Sequence, residues 1–157
     1  MFNCMKIVLG ADPFAYELKR AVAKRLQERG IEIVDTDGFA EEPYYDIAEK
    51  SARIVACGEA DGAVLFCGTG AGMSIVANKV AGIRAVCVES VFAASKAKAI
   101  NGANVISMGA MIVGESMACE MVDTWLDTKF TQGFPGLEDF LAQAKDKVSQ
   151  IDSKLRA

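Results

Sequence analysis

The chain alternates short, nearly continuous apolar runs with longer segments in which apolar residues recur every three or four positions. Runs of the first kind fit strands buried on both faces, and segments of the second kind fit amphipathic helices. The pattern predicts strands over residues 6–10, 31–35, 62–67, 83–88 and 105–108. It predicts helices over residues 16–29, 44–57, 73–80, 91–100, 115–127 and 137–155. Leu18, Val22 and Leu26 mark the inward stripe of the first helix, and Gly30 stands where a left-handed C-cap belongs. Residues 35–43 read as a loop, and Gly133, Pro135 and Gly136 set the last helix apart. Five strand–helix repeats imply a single α/β domain over residues 1–157, with a parallel sheet covered on both faces. Its core spans residues 5–130, and a C-terminal helical extension spans residues 137–155. In such sheets ligands bind beyond the carboxyl ends of the strands. Asp12, Cys67 and Glu89 each follow a predicted strand end, so this architecture draws them to one crevice.

Composition narrows the classes. With 157 residues, 52% of them hydrophobic, the chain can bury a substantial core. A net charge of −4 and the lack of a basic stripe argue against a nucleic-acid partner. No apolar run approaches the roughly 18 residues of a membrane span, and the first six residues lack the order of a signal peptide. A cytoplasmic setting is the expectation. The five cysteines sit mostly in apolar surroundings and fit reduced thiols. There is no histidine and no cysteine pair with zinc-ligand spacing, so no metal site is expected. General acid–base work falls to Cys, Asp, Glu, Lys or Tyr.

The chemistry concentrates at Cys67. It closes the run Ala63-Val64-Leu65-Phe66 and opens the turn Gly68-Thr69-Gly70-Ala71-Gly72-Met73-Ser74. A thiol between a strand end and a helix start faces several backbone N–H groups, which favour thiolate and other anions. The bland alternative is a tight strand–helix turn that needs small residues, with Cys67 an ordinary buried cysteine. Asp12 is an N-cap or a ligand for a substrate hydroxyl. Tyr44 and Tyr45 precede a helix, where surface packing is the default. Glu89 is a cap, a solvent-exposed charge or a site residue. Asn101 and Asn104 flank Gly102-Ala103 and suit a turn. The Met and Cys residues between Met117 and Met121 read as core.

Taken together these segments resemble the sugar-phosphate aldose–ketose isomerases that comprise ribose-5-phosphate isomerase B and galactose-6-phosphate isomerase. The resemblance runs over residues 6–130. It rests on Gly10-Ala11-Asp12, Tyr16-Glu17-Leu18-Lys19, Tyr45-Asp46-Ile47-Ala48-Glu49-Lys50 and Gly58-Glu59-Ala60-Asp61. It continues through the turn from Cys67 to Ser74, then Ala77-Asn78-Lys79-Val80, Gly82-Ile83-Arg84-Ala85, Asn101-Gly102-Ala103-Asn104-Val105 and Gly109-Ala110. The resemblance implies a three-layer, doubly wound, five-stranded parallel sheet of Rossmann-like type and a C-terminal helix. It implies proton transfer between C1 and C2 of an open-chain sugar through a cis-enediolate. Cys67 is then the base, and the amides of the turn, with Gly68, Gly70, Gly72 and Ser74, form an anion hole. Thr69 assists proton transfer or ring opening, and Asp12, Tyr44 and Asn101 contact substrate. No metal or organic cofactor is implied. The expected assembly is a homodimer or homotetramer with active sites shared between subunits.

The departures bear on substrate. Pro13 stands where the family has His after the aspartate. Glu89 and Ser90 replace a His and an Asp after the fourth strand, and Ile100 replaces the His before Asn101. Met111 replaces a phosphate-binding Arg, and Gly133-Phe134-Pro135-Gly136-Leu137 replaces a basic C-terminal stretch. The base survives while the phosphate grip and the ring-opening histidine do not. This points to a small sugar or sugar phosphate other than ribose 5-phosphate, with Glu89 as the acid–base or hydroxyl-binding replacement. The alternatives are a non-catalytic or auxiliary subunit of a hetero-oligomeric isomerase and, more remotely, a nucleotide- or phosphate-binding regulator.

Overall fold

The structure, a computed structural model, describes residues 4–37 and 41–155. Five strands, β1 (Lys6–Ala11), β2 (Glu32–Asp35), β3 (Gly62–Cys67), β4 (Ala85–Cys87) and β5 (Val105–Gly109), alternate with helices. The helices are α1 (Tyr16–Glu28), α2 (Tyr44–Ala56), α3 (Ala71–Ala77), α4 (Val91–Asn101), α5 (Glu115–Asp127) and α6 (Glu138–Leu155). A short 3-10 turn, Pro13–Ala15, links β1 to α1. All strand pairs are parallel, in the order β2-β1-β3-β5-β4. The doubly wound, Rossmann-like sheet expected from the sequence is therefore present.

Right-handed crossovers decide which face each helix covers. The connections through α1 and α4 run toward the β2 edge, and those through α2 and α3 run toward the β4 edge. One core accordingly packs Leu18, Val22 and Leu26 of α1, Ala94 and Ala97 of α4, and Met121, Val122 and Trp125 of α5 over Ile7, Leu9, Val64, Phe66, Ile106 and Met108. The other packs Ile47, Ala48, Ala52 and Val55 of α2 and Met73 and Ala77 of α3 over Val8, Ala63, Leu65, Cys67 and Val105. Alternate strand residues serve opposite faces, which is why the strands read as unbroken apolar runs. The same alternation turns Cys67 toward α2 and α3. Of the Met and Cys group in α5, Met121 is core and Cys119 partly buried, whereas Met117 is exposed.

Several boundaries differ from the sequence pattern. The helix expected at 73–80 runs from Ala71 to Ala77. Gly70, at φ +79°, reverses the chain so that helical geometry begins at the next residue. The far end stops because the Asn78 side chain pairs with the Ala85 backbone, donating to its carbonyl and accepting from its amide, each at 2.8 Å. The strand expected at 83–88 keeps only Ala85–Cys87, because Arg84 N turns to the Asn104 side chain at 2.8 Å. The strand expected at 105–108 extends to Gly109, which pairs with Cys67. Part of the loop expected at 35–43, residues 38–40, lies outside the described residues. Helix α6 packs against α4 with Leu141 buried, leaving Phe140, Val148, Ile151 and Leu155 exposed. No described helix is long and apolar enough to cross a membrane.

An ionic cluster pins the carboxyl end of β1. Lys19 of α1 is 1% exposed, and its Nζ lies 2.7 Å from carboxylate oxygens of both Asp35 and Asp37. Asp37 in turn accepts the Ala11 amide at 2.6 Å. Removing the cation strands a buried carboxylate, a loss on the order of 3–5 kcal/mol. Lys19→Met should therefore destabilise the fold by that amount despite preserving most of the volume. Urea unfolding checks this, and a shift no larger than that of an exposed lysine variant such as Lys24→Met would refute it.

Candidate active site

The site is built from the carboxyl ends of β1, β3, β4 and β5. Cys67 ends β3 opposite Gly109 of β5, and its side chain is 6% exposed. Its sulfur accepts the Gly70 amide at 3.1 Å. That contact exists because the chain doubles back immediately after the strand. The turn lies directly on the end of β5: a Cβ at Gly109 would sit 2.5 Å from Thr69 C, and one at Gly70 2.7 Å from the Met108 carbonyl carbon. Only glycine permits either approach. The turn is fastened by Ala110 N donating to Cys67 O at 2.9 Å and Met111 N donating to Gly68 O at 3.0 Å.

Asp12 follows β1 and caps the 3-10 turn, its Oδ1 accepting Phe14 N at 3.0 Å while its own amide donates to Phe66 O at 3.1 Å. It thus sits beside the strand that delivers Cys67. Burial pushes its carboxyl above the ordinary range, opposed by the Phe14 amide. Tyr44 opens α2 and lays its ring on the turn, 2.8 Å from where a Gly72 Cβ would be. Tyr45 stacks edge-on against Tyr44, with centroids 5.4 Å apart. Thr69 is exposed on the turn, and Glu89 is exposed just past β4. Ser90 has a local task, capping α4 by accepting Ala93 N at 3.1 Å.

Two expected site residues fall elsewhere in the single chain. Ser74 faces inward: its amide donates to Gly70 O at 3.3 Å, and its hydroxyl lies 2.6 Å from Ser107 Oγ. Both groups are committed to holding the turn, as an inward residue in the first turn of α3 must be. Asn101 ends α4, which runs back from the carboxyl to the amino edge of the sheet. At about 1.5 Å of rise per residue, the eleven residues of α4 carry Asn101 and Ile100 roughly 16 Å from the Cys67 edge. Both residues line a groove of about 340 Å³ with Arg84, Phe140, Leu141 and Lys145.

Sequence reasoning passed over Ser107 and Cys87, which support the turn, and Asp37, which holds Ala11. A buried serine, Ser107, and a half-buried cysteine, Cys87, inside otherwise apolar strands were the available signal. The two turn glycines make separable predictions. Gly70→Ala forces a left-handed alanine against the β5 backbone and should cost at least about 3 kcal/mol. Gly72→Ala meets only the Tyr44 ring, so stability should stay within about 1 kcal/mol while that ring is displaced. Thermal unfolding of both variants checks the contrast, and equal losses would contradict it.

With this geometry in hand, comparison with known proteins is specific. A profile of the family described as Ribose/Galactose Isomerase matches residues 7–136. A ribose-5-P isomerase B of Listeria innocua is 42% identical over 97% of this chain and 100% of its own. A 4-deoxy-4-sulfo-D-erythrose isomerase of a Clostridium species is 39% identical over 96% of this chain and 98% of its own. The solved ribose-5-phosphate isomerase B of Clostridium thermocellum superposes with a TM-score of 0.88 at 38% identity, covering 96% of this chain and 99% of that one. The chain is an isomerase, and it belongs to the Ribose/Galactose Isomerase family.

Proposed function

We propose that the protein interconverts a four-carbon aldose and its ketose, with Cys67 as the base. The observation that carries the reading is the Cys67 sulfur at the carboxyl end of β3, with the Gly70 amide nitrogen 3.1 Å away. In the aldose-to-ketose direction the thiolate removes the C2 proton, the electron pair moves to form a cis-enediolate, and the proton is returned to C1. A donor already aimed at sulfur stabilises the charge it carries without reorganisation at the moment of reaction. Thr69, exposed on the turn, passes the hydroxyl proton between O1 and O2, and Asp12 and Tyr44 border the substrate. Glu89 contacts a substrate hydroxyl from the β4 side.

The chain length of the sugar follows from what is absent. The protein has no histidine, and Glu89 stands at the ring-opening position of the resemblance. A ring-opening group is dispensable when the substrate cannot close a ring. A furanose forms through the C4 hydroxyl, so a four-carbon sugar with that oxygen esterified or replaced stays linear. The Clostridium relative named for 4-deoxy-4-sulfo-D-erythrose has such a substrate in its name. Pro13 and Met111 cannot donate to an anion, which weakens any grip on ribose 5-phosphate. Losing charge-assisted bonds of about 1.5–3 kcal/mol each amounts to two or more orders of magnitude. An auxiliary, non-catalytic role has no comparable support, because the base and its turn are intact.

The active assembly is a homodimer or larger. Phe14, Ile75, Phe92 and Met111 are each more than 60% exposed, and all four lie near the carboxyl edge of the sheet, around the crevice. A rim of this kind is suited to burial by a second copy. A copy that delivers its Asn101 also brings Arg84, a cation for an anionic substrate, from the same amino edge. We likewise treat residues 5–130 as the core unit and residues 137–155 as an extension.

Three measurements test this reading. A panel of aldoses, ketoses and their phosphates and sulfonates, followed by NMR in deuterated water, should give solvent exchange at C2 for a four-carbon substrate. Ribose 5-phosphate should turn over at least about a hundredfold more slowly, and parity between the two would overturn the chain-length proposal. Cys67→Ala should lower turnover by about 10²–10⁴-fold with the fold intact, and near-normal turnover would remove the base. Mixing inactive Cys67→Ala and Asn101→Ala proteins should restore about a quarter of wild-type activity if sites are shared in a dimer. No recovery, with both variants dimeric by sedimentation, would refute sharing.

A further inference from the structure

Beneath the glycine turn, two side chains hold its carbonyls. Cys87 and Ser107 are register partners on β4 and β5. Cys87 Sγ lies 3.6 Å from Thr69 O, and Ser107 Oγ donates to Gly70 O at 2.8 Å. Each thiol or hydroxyl carries a single proton. Ser107 gives its proton to Gly70 O, so Ser74 is the donor in the serine pair, and Cys87 keeps its own proton for Thr69 O. Thr69 C=O and Gly70 N–H are the two ends of one planar peptide. Cys87 therefore holds one end of that plane, and Cys67 Sγ receives the other at 3.1 Å.

We propose that Cys87 is a positioning residue for the base: its S–H, acting through the Thr69–Gly70 peptide, orients and polarises the N–H that faces Cys67. The proposal rests on the reading of Cys67 as the base. Each hydrogen bond in such a chain strengthens the next, so a proton on Cys87 supports negative charge on Cys67 without touching it. Burial holds the Cys87 thiol above its ordinary range. The charged and titratable groups that face it, Glu89 and Cys67, push in the same direction as burial. Cys87 thus stays protonated, as a donor must. The site is also confined: a Cβ on Gly70 would come 3.0 Å from Cys87 Sγ. An aliphatic residue of similar size fills the space but leaves Thr69 O unbonded.

The experiment uses the full-length protein as Cys87→Val, Cys87→Ser and Cys87→Ala. Iodoacetamide labelling of Cys67 at neutral pH, without substrate, is followed by peptide mass mapping, with turnover measured in parallel. Cys87→Val should slow Cys67 labelling about fivefold and lower kcat by a similar factor, with KM unchanged. Cys87→Ser should return both within about twofold, since it keeps a donor. A purely structural role has the opposite sign, because a loosened turn exposes a residue that is only 6% accessible and speeds its labelling. Faster or unchanged labelling in Cys87→Val, or a serine variant that matches valine, overturns the proposal. If Cys87→Val does not fold, Cys87→Ala is read by the same criteria. Labelling requires no catalysis, so an active Cys67→Ala protein would remove the base while the coupling to Cys87 remained measurable.

Discussion

The site depends on a close approach of two backbones. The turn after β3 lies on the carboxyl end of β5, with no room for a side chain at Gly70 or Gly109. Everything chemical follows from that contact. It folds the Gly70 amide back onto the Cys67 sulfur, brings the turn carbonyls within reach of strands β4 and β5, and starts α3 at once. Steric exclusion does the positioning here. The hydrogen bonds then select an orientation within the narrow range that packing leaves.

The polar groups around this contact are closed among themselves. Ser74, Ser107, the turn carbonyls and the strand amides partner one another, and no buried side-chain nitrogen or oxygen among the described residues lacks a partner. A fully bonded network in a dry setting resists rearrangement, because breaking one member costs the desolvation of another. The ionic cluster at Lys19 performs the same service for β1. Two rigid strand ends, each fixed by buried polar groups, therefore lie side by side at the carboxyl edge of the sheet, one followed by Asp12 and the other ending in Cys67.

Most of the fold was legible because the strands are buried on both faces, which leaves long apolar runs, and the helices carry clean three-four spacing. The placement of Cys67 at a strand end, against a turn amide, was legible from its position between an apolar run and a glycine turn. The register of α3 was not, because glycines read as loop whereas Gly70 acts as a left-handed helix start. The strand at β4 was legible but its shortness was not, because Asn78 and Asn104 take over backbone partners that a longer strand would satisfy. Side-chain mimicry of that kind has no local signature. Ser74 and Asn101 belong to the same lesson. Motif position could not tell that helix phase turns Ser74 inward or that helix length carries Asn101 to the other edge of the sheet from Cys67 in the same chain. The roles of Asp37 and Cys87 depend on contacts across 26 and 18 residues, which local patterning does not reveal.

The strand order carries a consequence for biosynthesis. β5 is made last, yet it inserts between β3 and β4 and, among the described residues, is the sole ladder partner of β4. While the chain emerges from the ribosome, β3 must hold an open edge and β4 has nowhere to dock until residues 105–109 arrive. Non-local pairing of this kind is slow and leaves apolar edges exposed. The turn after β3 is subject to the same delay, since Ser107 and Gly109 are its floor. A truncated product ending before β5 thus lacks both a completed sheet and the floor of the turn beside Cys67, so the surroundings of that thiol take shape only when nearly the whole core has been synthesised.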